Sequence, residues 1–261
     1  MPLLFWRRPR VSVLVLHGVL AARMGTLNLA GYGTLIDRAV QSARRTGHLV
    51  LDINSPGGSP VQSDLIAARI RARAEEHKVR VHAVIGEVGA SGGYWLACAG
   101  DEIIANPMSV VGSIGVIGGG FGFEDAIGRL GVRRRLYTAG ENKARFEPFT
   151  SERPQDVEFA HGLLGDIHER FKLWVRTRRG ARLKANEAVV FDGSFMLGAG
   201  ALEAGLIDRF GDVDSLVREI GGKRARAQAF RPRRRGLFAR FPRMAAEALL
   251  DAIEERSFPR V

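Results

Sequence analysis

The chain has 261 residues, of which 46% are hydrophobic and 26% are charged, a composition that predicts one large compact domain, alone or with a small appendage. Its single cysteine, Cys98, excludes an internal disulfide and is predicted to be a small core residue. The longest apolar run, residues 11–22, is too short for a membrane-spanning helix, which takes about 20 residues. A secretory signal peptide is not recognisable either. We therefore expect a cytoplasmic or peripheral membrane location.

The formal net charge of +11 is not spread evenly along the chain. Nine basic and no acidic residues lie within residues 223–243, interleaved with aromatic and aliphatic ones. This pattern favours peripheral contact of the tail with anionic lipid over binding of nucleic acid, and a solvated tail is the alternative. Residues 1–10 also combine apolar side chains with arginines, so they are interpreted as a membrane-surface segment or as a frayed terminus.

Apolar periodicity in the first half of the chain predicts strands that alternate with helices. The predicted strands are residues 11–16, 48–53, 81–85, 103–105, 112–117 and 134–138. The predicted helices are residues 30–45, 61–77, 91–99 and 123–130. Turns that contain glycine are predicted at residues 54–58 and 86–90. This order of elements is typical of a layered α/β fold with many parallel strands.

The second half of the chain reads as a helical extension. A long amphipathic helix is predicted over residues 156–179, with shorter helices as far as residue 221. Its apolar side chains are interpreted either as core of the same domain or as an assembly surface: Phe159, Leu163, Leu164, Ile167, Phe171 and Trp174. The composition changes near Gly222, so the predicted parts are an N-terminal segment (1–10), a folded domain (11–222) and a basic tail (223–261), with one more helix over residues 244–256.

Two glycine-containing turns that each lie between a predicted strand and a predicted helix carry the strongest chemical signals. They are SPGG at residues 55–58 and GASGG at residues 89–93. Backbone amides at such turns have no partner inside the helix, so they can stabilise a negatively charged oxygen. That is the requirement for an oxyanion hole in acyl transfer, where one aimed donor contributes about 3 kcal/mol of transition-state stabilisation.

Ser91 is the candidate nucleophile within the second turn. It is placed at the start of a helix, where the positive end of the helix dipole favours an alkoxide, and a purely structural role as N-cap is the alternative. The spacing Gly89-x-Ser91-x-Gly93 also matches the nucleophile turn of α/β-hydrolases, which requires a downstream histidine. The downstream histidines, His161 and His168, both fall in the long helix rather than on a loop after a strand. A histidine in the position that the triad requires is therefore not evident.

Four segments together make the chain similar to a known family. They are DINSPGG (52–58), GASGGYWLA (89–97), GSIGV (112–116) and TAGENK (138–143), with weaker support from GLID (205–208). Over residues 11–222 the chain resembles the signal peptide peptidase A family of Ser/Lys peptidases, whose fold is similar to the Clp protease and crotonase group. The resemblance therefore implies a Clp protease/crotonase-like α/β domain.

The resemblance also implies a role for particular residues. Ser91 would attack the scissile carbonyl, Lys143 would act as its general base, and Ser113 would hold the lysine amine. Two amides, those of Gly58 and Gly92, would be the oxyanion donors, and Gly57 would shape the turn. A lysine acts as a base near pH 7 only when its pKa is lowered by burial, so we expect Lys143 to be desolvated in the assembled site. Taken by itself, Lys143 would be interpreted as a surface lysine.

The predicted function is that of a serine endopeptidase with a Ser/Lys dyad, without metal or organic cofactor. Its substrates, as the resemblance implies them, are extended apolar peptides such as released signal peptides, and its assembly is a homo-oligomeric ring. Two alternatives remain open. One is a non-catalytic, membrane-associated assembly protein of the same fold, and the other is an acyl-CoA enzyme of the crotonase type.

Overall fold

The computed structural model describes residues 9–232, and these residues form an α/β fold. The strands in this part of the chain are β1 (Arg10–His17), β2 (His48–Ser55), β3 (Arg80–Ala90), β4 (Glu102–Ala105), β5 (Val110–Gly112), β6 (Phe195–Leu197), β7 (Arg209–Phe210) and β8 (Arg226–Phe230). The helices are α1 (Leu29–Ala43), α2 (Pro60–Glu76), α3 (Gly92–Ala97), α4 (Glu124–Arg129), α5 (Pro154–Arg179), α6 (Glu187–Val190), α7 (Gly198–Ala204) and α8 (Val213–Gly221). The α/β prediction is confirmed.

The described strands form one sheet that is parallel throughout except at one edge. The order is β6-β5-β3-β2-β1-β8, and β4 pairs with β3 and β7. Only the β5–β6 pairing is antiparallel within residues 9–232. Both faces of the sheet are covered, which explains why its central strands read as continuous apolar runs. Parallel strands end at the same edge, so the turns after β2 and β3 come together there.

The larger core lies between one face of the sheet and helices α1, α2, α3 and α5. Ile36, Ile66, Tyr94 and Val175 supply one buried side chain from each of these helices. Asn28 and Ser59 accept hydrogen bonds from backbone amides and cap α1 and α2. Burial of apolar side chains drives this packing and contributes about 0.8 kcal/mol for each CH₂ group removed from water.

The opposite face of the sheet is covered by α8. Val13, Val50 and Val84 of three neighbouring strands pack there against Leu216 and Val217. A capping box formed by Asp212 and Ser215 fixes the start of α8.

Cys98 is buried, as predicted, in the larger core. Burial in an apolar environment raises the pKa of its thiol to about 12. Cys98 is therefore a packing residue rather than a reactive thiol.

Three predicted elements differ from the structure. Residues 86–90, predicted as a turn because of their glycines, continue β3, since Val88, Gly89 and Ala90 pair with β5. The strand predicted over residues 112–117 ends at Gly112, because Ser113 takes a positive φ of 52° that no strand accommodates. Residues 134–138, predicted as a strand, lie exposed and without regular structure, because no sheet edge pairs with them.

The compact unit extends past the boundary predicted at residue 222. β8 pairs in parallel with β1, from Arg10 opposite Arg226 to Leu14 opposite Phe230, and the unit ends at Phe230. The first part of the predicted tail therefore belongs to the sheet. The rest of the tail from residue 233, including the helix predicted over residues 244–256, and residues 1–8 lie outside the described residues.

The GLID segment near the end of the domain has a structural role. Its carboxylate, Asp208, receives two hydrogen bonds of 2.8 and 2.9 Å from the guanidinium of the buried Arg179 and one of 2.7 Å from the Ile103 amide. Burial opposes the ionisation of Asp208, but these donors outweigh it and lower the pKa. The pair fastens the end of α5 to the edge of the sheet.

Across residues 9–232, the helices are all too short or too polar to cross a lipid bilayer.

Two histidines and a carboxylate form a hydrogen-bonded row at the start of the central strands. His48 Nδ1 lies 2.9 Å from His82 Nε2, and His82 Nδ1 lies 2.8 Å from a Glu102 carboxylate oxygen. Burial, followed by the positive charges of His82 and Arg80, lowers the pKa of His48, while Glu219 acts weakly in the opposite direction. The row therefore favours a neutral His48.

We expect acidification to destabilise the fold through His48. The pKa of His48 in the folded state lies below the ordinary value of about 6.5. At a pH near or below about 6.5 the unfolded chain therefore binds more protons than the folded chain. The free energy of unfolding that is present above about pH 6.5 is thus partly lost as the pH falls. Melting temperatures between pH 7.5 and 5.5 should fall less steeply in His48→Gln than in wild type. His77→Gln, at a half-buried histidine outside the row, is the control and should keep the wild-type slope. Equal slopes in all three proteins would contradict the assignment.

Candidate active site

Ser91 lies in the sharp turn between β3 and α3. Its backbone has φ of 52° and ψ of −124°, a sparsely populated conformation, and its side chain makes no capping hydrogen bond. The Ser91 amide donates to the Gly112 carbonyl over 2.8 Å, which ties the turn to the end of β5. A strained backbone of this kind costs about 1–3 kcal/mol and is common at functional sites. The hydroxyl of Ser91 therefore does not perform the alternative role of N-cap.

The two glycine-containing turns are in direct backbone contact. A Cβ atom added to Gly57 would lie 2.7 Å from the Gly92 nitrogen and 2.7 Å from Ser91 Cβ. One added to Gly93 would lie 2.2 Å from the Ser55 carbonyl oxygen. Side chains at these positions would separate the turns, so glycine is required for the approach. The two turns therefore lie against each other.

The backbone amides in and next to the first turn differ in whether they have a hydrogen-bond acceptor. The Gly57 amide donates to Ser55 Oγ over 3.2 Å, and the Ser59 amide donates to the Leu20 carbonyl over 2.7 Å. Among the hydrogen bonds of residues 9–232, the Gly58 amide between them has no acceptor, and neither has the Gly92 amide at the start of α3. These are the two amides that the family resemblance implies as oxyanion donors. An uncommitted backbone N–H is what such a donor requires.

Ser113 follows the strand that holds the nucleophile turn. Its amide donates to the Ser194 carbonyl over 2.7 Å, and its backbone has a positive φ of 52°. The preceding residue, Gly112, accepts the Ser91 amide. The structure thus brings the segments of Ser91 and Ser113 together at the end of β5.

Lys143 differs from the expectation of a buried base. The residue is exposed and lies in a turn. Its backbone amide donates a hydrogen bond of 3.2 Å to the Gly140 carbonyl. No hydrogen bond or ion pair joins its amine to Ser91, to Ser113 or to any other residue between 9 and 232. The desolvation that a lysine base needs is not present in the single chain.

Two buried serines near the turns were not singled out from the sequence. Ser55 Oγ accepts the Gly57 amide, and Ser63 Oγ donates to the Ser59 carbonyl over 2.9 Å. A Cβ atom on Gly92 would lie 2.4 Å from Ser63 Oγ, so Ser63 packs directly under the oxyanion turn. The sequence signal that could have identified it is its helical spacing from Ile66, Ala67 and Ile70 on the buried face of α2.

A cavity of about 510 Å³ lies elsewhere, at the ends of β1 to β4 beside the start of α8. Its lining includes a contact of 3.0 Å between His17 Nε2 and Asp52, and none of the predicted site residues. Within residues 9–232, no group of histidine, cysteine and carboxylate side chains is arranged to hold a metal ion. The cavity is therefore separate from the serine site in its residues and chemistry.

Comparison with protein families gives a match to one model. The model described as Peptidase family S49 matches residues 73–225, which is more than half of the chain. This range contains Ser91, Ser113 and Lys143, whereas Gly57 and Gly58 precede it.

Relatives align over most of this chain but over only part of their own length. The Na(+)/H(+) antiporter NhaA of Brucella abortus is 41% identical over 234 residues, which are 88% of this chain and 31% of that protein. A protein of Synechocystis sp. named as a protease is 31% identical over 62% of this chain and 58% of its own. One of Enterococcus faecium named as signal peptide peptidase SppA is 27% identical over 70% and 54%. The chain thus spans about a third of the Brucella protein and little more than half of the two others.

Proposed function

We propose, because the chain belongs to peptidase family S49, that it is a serine endopeptidase in which Ser91 is the nucleophile and Lys143 the general base. One observation carries the proposal. Ser91 lies in a strained turn with a hydroxyl free of capping, directly against a second turn, and the Gly58 and Gly92 amides there have no acceptor. A nucleophile beside aimed donors is the arrangement that acyl transfer requires.

The proposed chemistry proceeds in two balanced steps. Ser91 Oγ attacks the peptide carbonyl while Lys143 Nζ takes its proton, and the amides of Gly58 and Gly92 bind the oxyanion. Collapse of the tetrahedral intermediate breaks the C–N bond, and Lys143 gives the proton to the leaving amine. Water then attacks the acyl-enzyme while Lys143 takes its proton, the bond between the acyl carbon and Ser91 Oγ breaks, and Lys143 returns the proton to Ser91 Oγ as the peptide acid leaves. Ser113 would hold the lysine amine between the steps.

The exposure of Lys143 leads to a proposal about assembly. Residues 114–163 carry many exposed apolar side chains, such as Ile117 (97% exposed), Phe121 (80%) and Tyr137 (89%). Apolar surface of this extent marks an interaction site. In the long helix, Phe171 is buried and belongs to the core, whereas Phe159 and Leu163 are exposed and available to an assembly surface. We propose that further copies of the chain cover this surface in a ring and desolvate Lys143.

The proposed substrates are extended apolar peptides such as released signal peptides. The chain beyond Ser113 is exposed from residue 117 and has no strand partner as far as Phe123, so an extended peptide can add to it by backbone hydrogen bonds. The name of the Enterococcus relative, a signal peptide peptidase, agrees with this class. A Clp protease/crotonase-like variety of the α/β fold, a peripheral or cytoplasmic location, and lipid contact by the tail remain parts of the proposal.

Hydrolysis of fluorogenic casein and of an apolar peptide library by the full chain tests the function. We expect turnover without added metal or cofactor, and covalent labelling of Ser91 by a serine-directed fluorophosphonate, mapped by mass spectrometry. Labelling at another serine would contradict the assignment. Absence of turnover under all conditions would favour the non-catalytic assembly protein. A crotonase-type enzyme would process an acyl-CoA without being labelled.

The assembly proposal predicts that a charge placed on the exposed apolar surface separates the copies. Ile117→Asp should lower the mass measured by light scattering and reduce peptide hydrolysis by at least about tenfold, because Lys143 would return to water and lose the desolvation that a lysine base needs. Val189→Asp, at a position 57% exposed on α6, is the control and should change neither. A monomeric wild-type protein with full activity would contradict the proposal.

A further inference from the structure

His168, one of the two histidines that follow Ser91 in the sequence, contacts the chain next to the proposed site. It lies in the middle of α5, and its Nε2 atom is 2.9 Å from the carbonyl oxygen of Ile114. A carbonyl oxygen only accepts, so Nε2 carries the hydrogen and donates. Either the neutral ring with its hydrogen on Nε2 or the imidazolium makes this bond.

The segment that His168 contacts is fixed residue by residue. The Gly112 carbonyl accepts the Ser91 amide, and the Ser113 amide donates to the Ser194 carbonyl. The Ile114 carbonyl then accepts from His168. Three consecutive residues are thus held by the nucleophile turn, by the loop before β6 and by α5. Of these three contacts, the one from His168 is made by a side chain, and the other two are made by backbone atoms.

Beyond Ile114 the chain leaves the domain core. Ile114 is fully buried, whereas Ile117 is almost fully exposed, and the exposed segment that follows carries Lys143. α5 contacts this exit at a second point, since a Cβ atom on Gly118 would lie 3.1 Å from Leu164 Cδ2. α5 therefore sets the direction in which the segment leaves the site, and His168 is the polar contact that fixes it.

We infer that His168 is a positioning residue for the peptidase site, an inference that rests on the proposed function. By holding the Ile114 carbonyl it orients Ser113, the proposed holder of the lysine amine, and the start of the segment that brings Lys143. It acts through the backbone and does not touch the substrate. Misplacement of a catalytic group by about 1 Å can reduce the rate 10²-fold, so loss of this contact should reduce the rate constant more than substrate binding.

Three variants of the full chain test this inference by steady-state peptide hydrolysis. His168→Ala should lower kcat on the order of tenfold with little change in KM. His168→Gln, whose amide can donate to the same carbonyl, should recover most of kcat. His161→Ala is the matched control, because His161 is exposed on the same helix, and should behave as wild type. Equal losses in the alanine and glutamine variants at unchanged melting temperature would overturn the inference.

A spectroscopic readout separates this inference from the proposed function. In wild type, ¹⁵N correlation spectra of the His168 ring should show a hydrogen on Nε2, and a neutral ring with its hydrogen on Nδ1 alone would overturn the inference. Wild-type activity in His168→Ala would overturn it while the peptidase proposal stands. Absence of hydrolysis by wild type and by His161→Ala alike would instead overturn the proposed function on which it rests.

Discussion

Replacement of Ser91 by alanine should abolish peptide hydrolysis, and replacement of Lys143 by alanine should reduce it by about 10²–10⁴-fold, the usual contribution of a general base. The two residues act on one proton, so the double variant should be no worse than Ser91→Ala alone. Each variant should keep its melting temperature, because the Ser91 hydroxyl makes no capping bond and the Lys143 side chain is exposed. Initial rates on a fluorogenic apolar peptide and thermal unfolding measure both effects.

Matched controls for these variants come from similar residues outside the site. Ser42→Ala removes a half-buried serine hydroxyl on α1, and Lys184→Ala removes an exposed lysine near α6. Both should hydrolyse peptide at the wild-type rate. Additive losses in the double variant, far beyond either single loss, would show that Ser91 and Lys143 do not act as a unit.

A single methyl group at Gly93 should both destabilise the fold and stop hydrolysis. An alanine Cβ atom there would lie 2.2 Å from the Ser55 carbonyl oxygen, so α3 and the SPGG turn must move apart. Overpacking of this kind costs about 1–3 kcal/mol, and each kcal/mol lowers Tm by roughly 2–4 °C in a chain of this size. Displacement of the Gly58 and Gly92 donors should reduce kcat by about 10²-fold or more.

The control for Gly93→Ala is another helical glycine, Gly162 in α5. Nothing lies within 4 Å of a Cβ atom built there, so Gly162→Ala should raise stability by up to about 1 kcal/mol through helix propensity. Thermal unfolding and peptide hydrolysis of the two variants provide the comparison. A stable and fully active Gly93→Ala protein would contradict the close contact of the two turns.

Much of the first half of the fold is predictable because its signals are local. The strands that begin near residues 11, 48 and 81 read as apolar runs, α1 has apolar residues at helical spacing, and Asn28 and Ser59 mark the starts of α1 and α2. The contact between the two turns follows from the same reading, since parallel strands end at one edge. The roles of Ser91, Gly58 and Gly92 stay predictions, supported by the free hydroxyl and the two free amides.

The parts that sequence analysis missed depend on contacts between distant residues. β3 continues through its glycines because β5 pairs with it, and β8 joins the sheet because β1 offers a free edge. The local sequence pattern of a strand does not show which distant strand will pair with it. The contact of His168 with Ile114 joins residues 54 positions apart, and its helical period gave no indication of it. Under the proposed assembly, the burial expected for Lys143 would come from neighbouring copies of the chain.

The pH dependence of kcat/KM for wild type and Lys143→Arg, measured on one apolar peptide from pH 6 to 10, tests the dyad most directly. Arginine keeps the positive charge but does not lose its proton in this range. The proposed mechanism predicts a wild-type rate that rises with pH as the lysine amine becomes neutral, and an inactive Lys143→Arg at every pH. A Lys143→Arg protein with the wild-type rate and pH profile would contradict a lysine base.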